Sequence, residues 1–320
     1  MRCALTCERG AALVTVLLAI TLLTVAVVEF AYSTQIDQHL SYNALRSLQA
    51  TYLARSGVNL ALMALKKDGK TSGIDTLGED WARTLPPLPV GEGNVVIRVT
   101  DEQGKLNLNA LRNKNGTINM QWRQVAERLF MERNLEPSLL DPLLDWLDLD
   151  DFPEPRGAEK NDYLRQTPPY TTRNGALFTL GELGRVSGFT PEIRQRLEEV
   201  ITVLPSNSTT INENTAPRDV LAALLPSVDP ENLDAFLESR RETPSHGRND
   251  LRERLGLSPQ TQEDGLNLTS PRSEFFAVLA LASIGPVQQL LRVIVQRRAG
   301  EAMPLSWQPL LMPLTPKKET

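Results

Sequence analysis

At 320 residues, with a net charge of −5, 41% hydrophobic and 5% aromatic residues, the chain can build two modest cores and has no general electrostatic pull toward nucleic-acid phosphates. Its 22 prolines and 19 glycines imply many loops, and its two histidines, His39 and His246, are far apart, which removes the commonest general base from any compact site. Both cysteines, Cys3 and Cys7, precede residue 10, so neither a disulfide framework nor a thiolate metal site can exist further on. Met1–Gly10 is short and polar, and Ala11–Val28 then runs as AALVTVLLAITLLTVAVV without a charge, long enough to span a bilayer. No small-residue cleavage site follows it, only Glu29-Phe30-Ala31-Tyr32-Ser33, so the apolar segment is expected to stay attached.

Beyond the span, Ile36, Leu40, Ala44, Leu48, Val58, Ala61, Leu62 and Leu65 form one stripe at helical spacing, with Gln38, Arg46 and Gln49 opposite. A single helix from Ala11 to Lys66 would be roughly 80 Å long at 1.5 Å per residue. Gly57 counts against its continuity by about 1 kcal/mol. Turn residues Asp68–Gly73 and the Pro86-Pro87-Leu88-Pro89 stretch lead to a strand, Val95–Val99. Asp101-Glu102-Gln103-Gly104 reads as a turn and Lys105–Asn109, alternating apolar and polar, as its hairpin partner.

After Asn109 the pattern becomes short helices: Gln121–Asn134, Pro137–Leu147, Leu180–Val186, Pro191–Val203, Pro217–Leu225 and Pro230–Arg241. Strand periodicity returns with Glu274–Ala280 and Val287–Gln296 around the turn Ile284-Gly285-Pro286, so a sheet opened before the helices is closed after them. Ala299–Thr320 is Pro-rich and aperiodic and reads as a disordered tail. Leu106–Leu111 is echoed by Ile211-Asn212-Glu213-Asn214-Thr215-Ala216-Pro217, whose Asn and Thr suit helix capping.

Asp141, Asp145, Asp148, Asp150, Asp151, Glu154, Glu159 and Asp162 crowd into DPLLDWLDLDDFPEPRGAEKNDYL. Such carboxylates repel unless solvated or neutralised by a cation, and calcium suits an all-oxygen donor set; the alternative is a solvated acidic loop over buried Trp146 and Leu147. It is not an EF-hand, because Phe152 takes the third liganding position and the sixth-position glycine is missing. No nucleophile elbow, Walker A loop, dinucleotide fingerprint or HExxH pattern occurs, and no enzymatic activity is expected.

Arg9-Gly10 placed directly before the apolar run, and the long helix after it, resemble a type IV prepilin leader and spine. The resemblance implies cleavage after Gly10 by a prepilin peptidase, a mature chain starting at Ala11 and methylated there, and a single-pass inner-membrane anchor carrying a periplasmic bulk. At the fifth mature position, where most pilins carry Glu, this chain has Thr15, a departure suited to a filament tip. With Thr15, the helical insertion, the Asp-Trp-x-Asp-x-Asp-Asp loop followed by Gly157-Ala158-Glu159, and Asn-x-Asn-Thr-Ala-Pro, the chain resembles the K-type minor pseudopilins of type II secretion.

That likeness implies an α+β fold: a transmembrane and spine helix with a small antiparallel pilin-like sheet, carrying a large inserted all-α domain of helix-hairpin-helix or SAM-like type. Its divisions would be a leader 1–10, a transmembrane helix 11–33, a pilin-like domain 34–108 and 271–298, the insertion 109–270 and the tail 299–320. It implies one or two calcium ions, with Asp148, Asp150, Asp151, Glu159 and Asp162 as ligands. Implied partners are the I-type and J-type minor pseudopilins, the major pseudopilin, the prepilin peptidase and the inner membrane, with no nucleic acid. The competing resemblance is to a minor pilin or DNA-uptake pseudopilin of a type IV pilus-like system.

Overall fold

The computed structural model describes residues 5–205, 210–258 and 264–311, with 5–10 and 264 described by backbone alone. Met1–Ala4 of the expected leader lie outside the described residues, and Arg9 and Gly10 fall on helical backbone continuous with the apolar run. The first element, α1 (Leu5–Thr71), is one unbroken 67-residue helix that continues past the expected end at Lys66. It divides into two regimes. From Ala11 to Leu45 every residue is exposed, including Ile36, Leu40 and Ala44, and Leu48 is exposed too; the sequence stripe placed all four on the packed face. The packed face begins later, with Ala50, Leu53, Ala54, Val58, Ala61 and Leu65 all buried. Gly57 sits in that face for a packing reason: a Cβ there would lie 2.9 Å from Val95 Cγ2 and 3.2 Å from Ile97 Cγ1. Its lost helix propensity is the cost of the helix lying close to the sheet.

The sheet under α1 is antiparallel with five strands in the order β1 (Leu88–Val90), β2 (Gly93–Asp101), β7 (Phe275–Ile284), β8 (Val287–Arg298) and β9 (Glu301–Leu310). The closing strands are longer than expected, and the hairpin at Ile284-Gly285-Pro286 holds. Two sequence expectations fail here. Residues 299–320 are not wholly a tail, because Ala299 (φ 52) and Gly300 (φ 75) form a two-residue turn of the hairpin type that returns the chain as β9. Pro304 and Pro309 hid this strand, although an edge position tolerates the missing N–H. Residues 312–320 lie outside the described residues.

The second failure is the hairpin of 95–99 with 105–109. Strand β2 pairs with β1 and β7 instead, while β3 (Leu106–Asn107) pairs in parallel with β4 (Ile201–Thr202) and Leu108–Leu111 forms a 3-10 turn. The alternation misled because Asn107 and Asn109 face inward, not to water. Asn109 Nδ2 donates to the carbonyls of Leu177 (3.0 Å) and Leu204 (2.8 Å), and Asn107 Oδ1 accepts from the Leu204 amide at 3.1 Å. Buried amides satisfied in this way stitch distant loops together.

Between the sheet halves lies a mostly helical region with its own core. Its helices are α2 (Met120–Glu132), α3 (Leu140–Leu147), α4 (Lys160–Leu164), α5 (Pro191–Leu197), α6 (Arg218–Leu224), α7 (Pro230–Ser239) and α8 (Arg248–Arg254). Short 3-10 segments at Pro137–Leu139 and Leu180–Arg185 replace parts of the expected helices, and α4 and α8 were not anticipated. The region is not all-α: beside β3–β4 it holds a second two-residue parallel pair, β5 (Ile211–Asn212) with β6 (Thr269–Ser270). Trp122, Leu129, Phe130, Leu143, Leu221 and Phe236 anchor its core, which is separate from the α1–sheet core of Val58, Leu65, Phe276, Val278 and Val293.

Candidate metal centre

Helix α3 is an amphipathic segment with Leu143, Leu144 and Leu147 in the core, yet Asp141 and Asp145 on it are buried as well. Asp148 caps its C-terminus in extended backbone, the chain loops through Leu149–Ala158, and Glu159 caps the N-terminus of α4. The two helix ends thereby face one another with acids between them. One oxygen from each of Asp148, Asp150 and Glu159 lies within 4.8 Å of the others. Asp148 and Glu159 are buried while Asp150 is exposed, so the cluster opens to solvent on one side.

Three of the five expected ligands are thus brought together and two are engaged elsewhere. Asp162 accepts from the Glu159 amide (2.9 Å) and from Arg165 Nη2 (2.5 Å), closing the first turn of α4. Asp151 Oδ1 accepts from Asn174 Nδ2 at 3.1 Å and stands outside the cluster. A further candidate, not among the three clustered acids, is Asp145, fully buried, whose Oδ1 accepts from the Glu154 amide at 2.9 Å while Oδ2 has no hydrogen bond of good geometry among the described residues. A Cβ on Gly157 would fall 1.7 Å from that same Oδ2, so the glycine exists to let the carboxylate in. Only its neighbourhood in the acidic run marked Asp145 in sequence.

The electrostatics identify what the cluster needs. Among the described residues Asp148 Oδ1, both Glu159 carboxylate oxygens and Asp145 Oδ2 are buried without a hydrogen bond of good geometry, the amides of Lys160 and Ala158 only partly favouring the charged forms of Glu159 and Asp145. Burial first, then repulsion from Asp150 and Asp145, pushes the Asp148 carboxyl up to about 7. Burial, then Asp145 and Asp148, pushes Glu159 up to about 7 as well, and burial raises Asp145. The Arg123 guanidinium is committed to Glu127 (3.0 Å), Glu154 (3.0 Å) and Asp141 (3.4 Å). Trp146 and Tyr163, on α3 and α4, are buried and meet edge to face at 5.3 Å.

A second acid group, Asp68, Asp75 and Glu79, makes a useful contrast. There Arg297 bridges Asp68 and Asp75, the Ser273 amide donates to Asp75 at 2.8 Å, and Glu79 accepts from Trp81 Nε1 at 2.8 Å. Those oxygens are already satisfied by protein donors. Among the described residues Asp145 Oδ2, Asp148 Oδ1 and both Glu159 oxygens are not, and the hard all-oxygen character and part-open geometry of the group fit a calcium-type cation.

The chain's relatives agree with this architecture. Residues 104–206 and 211–269 match the family described as type II secretion system, protein K. The type II secretion system protein K of Pseudomonas aeruginosa is 30% identical over 301 residues, 91% of this chain and 89% of that protein. That of Klebsiella pneumoniae is 30% identical over 73% of this chain and 74% of its own length. Among solved structures, a chain of the GspK-GspI-GspJ complex from the enterotoxigenic Escherichia coli type 2 secretion system superposes with a TM-score of 0.74 at 20% identity, covering 87% of this chain and 100% of that one, a likeness of fold. The chain belongs to the type II secretion system protein K family, the K-type minor pseudopilins.

Proposed function

We propose that this chain is a non-catalytic tip subunit, held in the inner membrane by the Ala11–Val28 part of α1, that assembles with I-type and J-type minor pseudopilins to initiate and cap the periplasmic pseudopilus. The observation that carries the reading is the continuity of α1: an apolar, wholly exposed leading segment and a packed trailing segment belong to one rod. A bare apolar helix is stable in lipid or against other helices, where van der Waals packing replaces hydration. The resemblance of the fold to a chain of a GspK-GspI-GspJ complex supports the choice of partners. Thr15 supports the tip position, since its hydroxyl is turned back to the Ala12 carbonyl at 2.9 Å and it offers no carboxylate to a neighbour's terminal amine.

In this reading prepilin peptidase cuts between Gly10 and Ala11, and the acid cluster binds calcium through Asp148, Asp150, Glu159 and Asp145, the ion supplying the positive charge that the orphaned oxygens lack. Asp151 and Asp162 shape the loop and the first turn of α4. Co-purification of the full-length chain with its genomic I- and J-type neighbours is the direct test, with amino-terminal sequencing of the recovered protein. A ternary complex whose K-type member starts at Ala11 is expected. Recovery of the chain alone, or starting past Val28, overturns the reading. The competing pilus or DNA-uptake role would instead show as retained secretion and lost uptake on deletion.

A further inference from the structure

The Asn-x-Asn-Thr-Ala-Pro motif is not used by the anchor, the sheet or the acid cluster, and its residues are among the most deeply buried polar groups in the molecule. Asn212, Glu213 and Asn214 are at 0%, 0% and 1% exposure. Asn212 reaches toward the sheet: its Nδ2 donates to Asp101 Oδ2 (2.9 Å), Ser273 Oγ (2.9 Å) and the Asp75 carbonyl (3.1 Å). Thr215 adds a bond to the same Asp101 oxygen at 2.7 Å. Asn214 reaches the other way, pairing with the backbone of Ser245 through its Nδ2 (2.9 Å) and its Oδ1 (2.7 Å), on the loop between α7 and α8. The motif is therefore a bracket between the sheet and the last helices of the insertion.

Glu213, at the centre of the bracket, has half of its carboxylate uncompensated. Oε1 accepts from Ser245 Oγ at 3.1 Å, and Oε2 is buried with no hydrogen bond of good geometry among the described residues, the amides of Glu213 and Ser270 standing near enough only to favour the charged form in part. The charged groups around it do not neutralise it. From the end of α7, Arg240 donates to the Glu213 and Ala216 carbonyls (2.9 and 2.7 Å), not to the carboxylate. From α8, Asp250 adds like charge and accepts from the His246 amide at 2.8 Å. Arg248 is turned to the Leu266 carbonyl and Arg254 to that of Thr243. On the sheet side, Asp101 is held by Asn212, Thr215 and Ser273, and Asp75 by Arg297.

We propose that Glu213 is a proton-operated latch: neutral, it seals the Ser245 loop and α8 onto the bracket; ionised, it releases them while Asn212 keeps its hold on the sheet. The seal is favourable with the proton on, because a neutral carboxyl both accepts from Ser245 and sheds the burial cost of a half-paired anion. Burial, opposed by the amides of Glu213 and Ser270 and the Ser245 hydroxyl, pushes its carboxyl up to about 7. Because the closed-state value is raised above the ordinary 4.5, closure is fully favoured below that ordinary value and is lost as pH rises through about 7. The acidity of the surrounding compartment would then set how firmly the last helices are coupled to the spine.

The test is hydrogen–deuterium exchange of residues 243–250 in the full-length protein in lipid nanodiscs, between pH 5 and 8 and corrected for intrinsic exchange. The opening constant is expected to rise at least about tenfold across that range and then level off. In Glu213→Gln the profile becomes flat. Asp250→Asn, which removes like charge at a less buried position, moves the midpoint down, and Ser245→Ala, which removes a donor to the anion, moves it up, so the prediction survives a failure of Glu213→Gln to fold. A flat wild-type profile, a wild-type slope in Glu213→Gln, or a midpoint that moves with added calcium or chelator overturns the proposal, the last by making Glu213 a cation ligand.

Discussion

At the scale of single residues, the unpaired oxygens rather than the number of acids mark the proposed metal centre. Asp145 and Glu159 contribute orphaned atoms and Asp162 contributes none, so Asp145→Asn and Glu159→Gln are expected to weaken calcium binding at least about tenfold, while Asp162→Asn changes it little and destabilises α4 instead. Titration calorimetry of the three variants separates them; equal losses in all three would restore the broader ligand set. Proton competition gives the same centre a pH signature. With Asp148 and Glu159 pushed up to about 7, their contribution to the metal-free fold is complete below the ordinary carboxylate range and is lost as pH rises through about 7. Calcium binds the ionised form, so the rise in melting temperature on adding calcium should be small at pH 6 and larger at pH 8. A calcium effect independent of pH over that range would remove these two carboxylates from the site.

At the scale of elements, α1 is held to the sheet by small residues as much as by large ones. Gly57 faces Val95 and Ile97 with no room for a Cβ, and Gly57→Val is expected to destabilise the periplasmic fold by about 1–3 kcal/mol although valine alone would cost a helix little. Chemical denaturation of the variant checks it, and an unchanged midpoint would mean that the helix can shift away from β2 freely. Strand β9 closes the sheet in the same economical way, with Trp307 set against Arg55 of α1 at 5.8 Å. Ending the chain after Arg298 exposes the long β8 edge, and such a truncation should aggregate more readily on heating than the full chain, read by light scattering.

At the scale of the whole molecule, the insertion leaves and rejoins the sheet at one place. Asp101 at the end of β2 pairs in register with Phe276, and its carboxylate accepts from Ser273 Oγ at 2.5 Å. Glu102 next to it accepts from Thr202 Oγ1 at 2.5 Å; burial opposes its charge, but Lys105 and Arg292 outweigh that and hold it below the usual carboxylate range. The two cores are therefore joined by a polar seam and by a small apolar cluster of Leu204 with Phe275, Ala277 and Ile294. Replacing residues 106–270 with a short Gly-Ser linker is expected to leave the α1–sheet unit folded and, if the insertion caps the filament as proposed, to lose control of pseudopilus length. Filaments of normal length on electron microscopy would count against the capping role.

By itself the sequence determined the features that depend on local periodicity. The apolar run before a long amphipathic helix, the return of strands near Glu274 and the crowding of carboxylates around Asp148 are properties of neighbouring residues, and each is present in the structure. Tertiary structure alone decided which acids converge and which polar residues turn inward. Asp148 and Glu159 come together across the loop between α3 and α4, Asn107 and Asn109 are buried because distant backbone groups complete them, and Glu301–Leu310 is a strand because β8 offers an edge beside it. Burial and pairing are set by partners far along the chain, and no local pattern of residues carries that information.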